Sequence, residues 1–164
     1  MSKIAVIPVR SGSKRLPKKN YKSFNSRNLV EVARDKCLDS DIFDEIIISS
    51  DDVYFKRLVN CNKVKFLSRT RNLAGDKATT DVVVDYFFKE FSSCESILWV
   101  NSVSPLQSIQ DIKNCGLRLN EQGVDSVMAI NTLYQHCCIE NNPLNFNRNN
   151  PFEMTQNLTP IQRY

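Results

Sequence analysis

The chain has no apolar run near the roughly 18 residues that a membrane-crossing helix needs. It also opens without the charged-then-apolar pattern of a secretory leader. Its six cysteines, at 37, 61, 94, 115, 137 and 138, include no C-x-x-C pair. With no leader and no membrane span, the simplest expectation for these scattered cysteines is free thiols in a reducing cytoplasm. Cys37 and Cys115 fall where helices are expected and read as small core hydrophobes. His136-Cys137-Cys138 lacks metal-ligand spacing and reads as packing or surface. Glycine is scarce as well. The loop after the first apolar run holds only Gly12, which excludes both a Walker A motif and a G-x-G-x-x-G dinucleotide fingerprint.

What is present is ordinary in bulk. The 164 residues, 41% hydrophobic and 24% charged, suit a soluble globular domain. A chain of about 150 residues buries roughly 70% of its unfolded surface, so no metal or disulfide staple is needed. The formal charge of +4 is unevenly spread, because the opening loop alone carries six cations.

That loop organises the rest. Ile4-Ala5-Val6-Ile7 breaks at Pro8 into Ser11-Gly12-Ser13, with Arg10, Lys14, Arg15, Lys18, Lys19 and Lys22 around it and no acid between them. Small residues let backbone N–H groups approach an anion closely, and the cations neutralise it. A polyphosphate is the ligand such a loop suits. A solvated basic face is the other reading of the same residues.

Downstream, apolar runs at 3–8, 45–49, 64–67, 96–100 and 126–130 read as buried strands. Phe24–Asn28 reads as a turn. Helical spacing predicts helices over 29–39, 53–60, from Thr79 or Thr80 to about Phe91, and from Ser108. Asp51 or Asp52 can cap the second of these, and Thr79 or Thr80 the third. Ser108 with Asp111 resembles a capping box. Ile109, Ile112 and Leu119 mark the buried side of the last helix. Residues 68–77 read as a polar loop. The alternation implies a three-layer αβα fold around a mostly parallel, Rossmann-like sheet, with ligands beyond the strands' carboxyl ends. The loops at 10–20, 49–52, 68–80 and 101–107 all leave strands at that end. A nucleotide-binding α/β domain is therefore expected over 1–130. Over 131–164 no helical or strand period is visible, and six asparagines fall in 141–150, which suggests an arm or a disordered tail.

The string I-P-x-R-S-G-S-K-R-L-P-x-K-N after the first strand resembles the signature of the CMP-N-acetylneuraminate synthetase (acylneuraminate cytidylyltransferase) family. Ser49-Ser50-Asp51-Asp52 resembles its S-T-D segment. Arg69 and Leu73-Ala74-x-Asp76-x-Ala78-x-Thr80 resemble its R-P-x-x-L-A-x-D-x-A-x-S/T segment, with Thr70 replacing the proline. Asn101–Gln107 resembles Q-P-T-S-P-L-R, and Thr155–Pro160 resembles T-Q-D-L-x-P.

The resemblance implies a sheet of the nucleotide-diphospho-sugar transferase type. It implies a cytidylyltransferase that joins CTP to an acidic nine-carbon sugar, giving the CMP-sugar and pyrophosphate. Arg10, Ser11, Gly12, Ser13, Lys14, Lys19, Asn20, Arg69 and Thr80 would bind nucleotide. Arg10, Lys14 and Lys19 would offset charge in the transition state. Asn101 and Ser104 would meet the sugar.

Departures fall on the sugar loop, among them Asn101 for a glutamine, Val103 for a threonine and Gln107 for an arginine. They imply a different acceptor or a reduced activity. Magnesium is expected with CTP. In the family its aspartate pair lies in a part with no counterpart before Tyr164, and a homodimer through 131–164 is implied. Asp51 and Asp52 read as turn and cap residues more readily than as metal ligands. Two other readings stand beside this one. One is a truncated, weakly active or inactive relative that binds CTP, with dimerisation left open. The other is a nucleic-acid-binding module built on the basic loop, which lacks interleaved aromatic residues.

Overall fold

The computed structural model describes residues 2–14, 16–149 and 154–163. Arg15 of the cationic loop, Asn150 and Pro151 of the asparagine-rich stretch, and Tyr164 lie outside them. The chain divides into two compact units, Met1–Leu117 and Arg118–Tyr164.

The first unit opens with β1 (Lys3–Val9). Two-residue strands β2 (Ser23–Phe24) and β3 (Arg27–Asn28) follow as a small antiparallel hairpin. Its two turn residues, Asn25 and Ser26, both take positive φ, at 50° and 66°, as a tight hairpin turn demands. The turn expected over 24–28 is therefore more ordered than its sequence suggested. Asn28 is buried and caps α1 (Leu29–Ser40). Its side chain accepts from the N–H groups of Val30 and Glu31, and Glu31 accepts from the Asn28 N–H.

β4 (Glu45–Ser50) leads into a 3₁₀ segment, Val53–Leu58. Asp52 caps that segment by accepting from Tyr54 N–H at 2.8 Å. After β5 (Val64–Ser68) a single helical turn, α2 (Arg71–Ala74), interrupts the stretch expected to be plain loop. Four residues are too few to show a period. α3 (Thr80–Glu90), β6 (Ser96–Trp99) and α4 (Ile109–Leu119) complete the unit. Thr79 stands at the N-cap of α3, but its side chain caps nothing. Ser108 and Asp111 do form the reciprocal pair expected of them.

The four long strands form one parallel sheet in the order β5-β4-β1-β6. Strand period 2 sends Ala5, Ile7 and Val9 to one face and Ile4 and Val6 to the other. On the first face they pack with Ile46, Ile48 and Val64 against Val30, Ala33 and Cys37 of α1, with Phe55 and Ile112. On the second they pack with Ile47 against Val83 and Phe87 of α3. The result is helix, sheet, helix in three layers. Losing the buried Phe87 ring would cost about 3–5 kcal/mol. Ile112 is the buried anchor of α4, while Ile109 and Leu119 are half-buried.

The second unit departs from its sequence reading in two ways. Residues 126–130 form no strand. They are largely exposed and pair with no strand among the described residues. An apolar run becomes a strand only where a neighbour accepts its N–H groups. Conversely, the described residues of 131–163 are not without structure. β7 (Asn131–Leu133) pairs antiparallel with β10 (Ile161–Arg163), and β8 (Cys138–Ile139) with β9 (Asn142–Pro143). Glu140 and Asn141 turn the hairpin at φ 47° and 67°. Asn145 stitches the unit together, donating to the Gln135 and Thr159 carbonyls and accepting from Cys137 N–H. Strands of two or three residues cannot display a sequence period.

No helix among the described residues is long and apolar enough to cross a membrane.

Candidate functional site

Because β5, β4, β1 and β6 are parallel, their carboxyl ends share one edge, where ligands bind in open α/β sheets. A cleft of about 250 Å³ opens there. The loop after β1 contributes Arg10, Gly12, Ser13, Lys19 and Asn20. The β5–α3 connection contributes Arg69, Gly75, Thr79 and Thr80. β6 and its loop contribute Trp99, Asn101, Ser102 and Val103. Three cations and no carboxylate line the cleft among the described residues.

The three cations differ in what holds them. Arg69 is buried. It donates to the Val9 carbonyl at 2.9 Å and to the Leu73 carbonyl at 3.4 Å, while its Nε finds no partner. Burial lowers its pKa, opposed by the negative charge of Asp51. A buried donor left unpaired costs about 1–3 kcal/mol, which an incoming anion would relieve. Arg10 is half exposed and pairs with Asp76 at 3.1 Å. Lys19 has no carboxylate within ion-pair reach among the described residues. Its ammonium, like the buried Arg69 guanidinium, has no ion-pair partner among the described residues.

The loop carrying Lys19 is fastened from the next strand. Asp51, just past β4, accepts from Ser11 N–H at 2.9 Å and from Ser11 Oγ at 2.6 Å. Asp52 accepts from the Tyr21 hydroxyl. Burial, then this bond, raises the Tyr21 pKa well above the usual phenol range, and the same bond lowers that of Asp52. The Tyr21 ring packs on Tyr54 and Phe55. Asn20 is buried, donating to the Arg10 carbonyl at 3.1 Å and accepting from Ser102 Oγ at 3.2 Å. Between these ties, the N–H groups of Gly12 and Ser13 donate to no described residue. An added Cβ on Gly12 would meet nothing within 4 Å.

The loop after β6 is held differently. Lys36 of α1 donates to the carbonyls of Pro105 and Gln107. Trp99 Nε1 donates to Asn101 Oδ1 at 3.4 Å, a long bond. Val103 and Leu106 are exposed.

Of the residues singled out from sequence, the cleft gathers Arg10, Gly12, Ser13, Lys19, Asn20, Arg69, Thr80 and Asn101. Three stand elsewhere. Ser11 is turned to Asp51. Lys14 pairs with Asp76 at 2.9 Å, and the bond depresses the Asp76 carboxyl pKa. Ser104 lines a much smaller cavity beside Lys36 and Gln107. Sequence reasoning passed over the anchoring acts of Asp51, Tyr21 and Lys36, and the pairing of Asp76 with Arg10 and Lys14. No local pattern announces a partner 40 or 66 positions away.

The residues present do not fit a protein-held Mg²⁺ ion. The cleft lining has no carboxylate, and no cluster of three or more His, Cys, Asp or Glu suited to a metal occurs among the described residues.

Residues 4–156 match the family described as cytidylyltransferase. The N-acylneuraminate cytidylyltransferase of Streptococcus agalactiae serotype V is 25% identical over 138 residues, covering 83% of this chain and 33% of that protein. The pseudaminic acid cytidylyltransferase of Campylobacter jejuni serotype O:2 is 38% identical over 86 residues, covering 51% of this chain and 37% of that protein. The chain thus spans about a third of the length of these relatives. Among solved structures, CMP:2-keto-3-deoxy-manno-octonic acid synthetase complexed with CTP superposes with a TM-score of 0.62 at 18% identity, covering 74% of this chain and 48% of that one. A cytidylyltransferase from Leptospira borgpetersenii gives 0.57 at 19% identity, covering 75% and 51%. With the family match running across nearly the whole chain, and with the parallel sheet and its carboxyl-edge cleft in place, the chain belongs to the cytidylyltransferase family.

Proposed function

We propose that the chain binds CTP in this cleft and transfers its cytidylyl group to an acidic sugar of the nonulosonic class. The carrying observation is the lining itself: Lys19 and Arg69, which pair with no carboxylate among the described residues, and Arg10, whose partner Asp76 lies outside the lining, beside the undonated N–H groups of Gly12 and Ser13. Such a site is built for a polyanion.

The sugar's anomeric hydroxyl attacks the α-phosphorus. A sugar-oxygen-to-phosphorus bond forms, the bond to the bridging oxygen breaks, and pyrophosphate leaves. The hydroxyl proton passes to solvent. No covalent enzyme intermediate is required. The chain's own contribution is alignment, plus cations placed where charge grows on the leaving group. Lys19 is free to take that part, and Arg10 joins it once Asp76 releases it. Magnesium is the expected companion of CTP. Since the cleft offers it no carboxylate, neutralisation by this chain rests on its side-chain cations. The names of the relatives support a sugar acid of the sialic or pseudaminic acid kind.

A second reading, a CTP-binding relative with little transfer, is favoured by one observation: Ser104 and Gln107 line a separate cavity and not the cleft. The deciding assay is pyrophosphate release from CTP with a panel of nonulosonic acids, run beside CTP-induced thermal stabilisation. Release with at least one acid supports transfer. Stabilisation without release supports the second reading. Neither result, or equal stabilisation by all nucleoside triphosphates, removes both.

A further inference from the structure

The paired acids after β4 are neither metal ligands nor only caps; each grips one end of the cationic loop. Asp51 takes Ser11 through two bonds, 2.9 and 2.6 Å, just where the loop leaves β1. Asp52 takes the Tyr21 hydroxyl, just after Lys19 and Asn20. Between the two grips lie the undonated N–H groups of Gly12 and Ser13 and the unpaired Lys19 ammonium.

The acids themselves stay out of the cleft. Successive residues can do this because Asp51 and Asp52 point to opposite ends of one loop while β4 holds their backbone rigid. Ser50 Oγ fixes the pair by accepting from Asp52 N–H, and Ser50 is itself buried in the strand. The loop's own cations would repel one another if gathered freely, so an external fastening is needed to keep them on one side of the cleft.

We propose that Asp51 and Asp52 are positioning residues, a two-point clamp that sets the polyphosphate-binding loop through Ser11 and Tyr21. The proposal rests on the reading of this cleft as a CTP site. Neither acid touches nucleotide. The clamp therefore acts on affinity through loop geometry, and its removal should be visible before any ligand is added.

The test uses the full chain. Amide hydrogen exchange of Gly12 and Ser13 is measured without ligand, and CTP affinity is measured by calorimetry. The variants are Asp51→Ala, Asp51→Asn, Tyr21→Phe and the double variant Asp51→Ala/Tyr21→Phe. Ile48→Val, a core change away from the loop, serves as a stability control. The expected result is faster exchange at Gly12 and Ser13 in Asp51→Ala and in the double variant. CTP affinity should fall roughly ten- to a hundredfold, as misplacing a binding group by about 1 Å does. Asp51→Asn keeps an acceptor for Ser11 N–H and should recover most of the loss.

Unchanged exchange in Asp51→Ala and Tyr21→Phe overturns the clamp. So does an affinity loss matched by Ile48→Val at equal loss of Tm, which would make the effect global. Should Asp51→Ala fail to fold, Tyr21→Phe carries the same two readouts, with faster exchange at Gly12 and Ser13 expected and unchanged exchange overturning the clamp. If the native chain shows no CTP binding, the reading of the cleft fails, while the exchange data still decide the clamp.

Discussion

The two loops that face each other across the cleft are secured by opposite means. The loop after β1 is basic and is gripped by acids, Asp51 and Asp52, from a neighbouring strand. The loop after β6 carries exposed Val103 and Leu106 and is gripped by a base, Lys36, through backbone carbonyls. The first arrangement leaves spare positive charge and free N–H groups at the cleft. The second spends its one cation on holding the chain. The difference teaches that the side of the cleft proposed for the nucleotide is charged and held by side chains, while the side proposed for the acceptor is held through backbone carbonyls and exposes apolar groups.

Several changes would break or sharpen this contrast. The largest effect is expected from Lys19→Ala. Removing a donor aimed at growing charge typically costs about 2.7–4 kcal/mol, or roughly 10²–10³ in rate. The fold should hold, since Lys19 pairs with nothing described. Near-normal turnover in a pyrophosphate assay would take Lys19 out of the mechanism and erase the asymmetry.

Alkaline pH comes next, because it strikes beneath the nucleotide side. Burial pushes the Cys37 thiol up to about 12, and Tyr21 is raised further by burial and Asp52. In the unfolded chain these groups titrate near 8.5 and 10, so the unfolded state loses its protons first. Their contribution is intact below about pH 8.5. Above it, stability should decline, by at most about 1.4 kcal/mol per pH unit for each such group. Urea midpoints from pH 8 to pH 11 would show this decline, and a flat profile would contradict it.

Lys36→Met tests the other loop. It keeps the aliphatic stem but drops two bonds to carbonyls, each of the charge-assisted kind worth about 1.5–3 kcal/mol before the freed carbonyls find water. The KM for the acceptor should rise several-fold with CTP affinity unchanged. If CTP affinity falls equally, the two loops are not separately held.

The smallest effect belongs to Gly12→Ala. Gly12 sits in open space without positive φ, so the ligand-free fold gives no reason for a glycine there. Tm should not move, whereas CTP affinity should drop modestly if a phosphate approaches that backbone. Equal affinity in both proteins would place the phosphates elsewhere.

Much of this was legible beforehand, for identifiable reasons. Ile46-Ile47-Ile48 and Ile4–Ile7 are long, apolar and bounded by turn residues, so strand and burial could be read directly. The cleft residues Arg10, Lys19, Arg69 and Thr80 came from motif order along the chain. What failed was whatever depends on a distant partner. The apolar run 126–130 looked like a strand but pairs with nothing described, and the asparagine-rich stretch looked formless though Asn145 ties three segments of backbone. Asp51 reads locally as a turn residue, and its bonds to Ser11 emerge only in the fold.

By itself the sequence determined the alternation of buried strand and amphipathic helix, and with it a parallel sheet whose carboxyl edge collects the loops. Local periodicity suffices for that, because burial on both faces is written into adjacent residues. Which cations remain uncompensated, and which are claimed by Asp76 or by backbone carbonyls, was decided only in three dimensions. Electrostatic pairing depends on distances of a few ångströms between residues tens of positions apart, and the order of residues along a chain does not carry those distances.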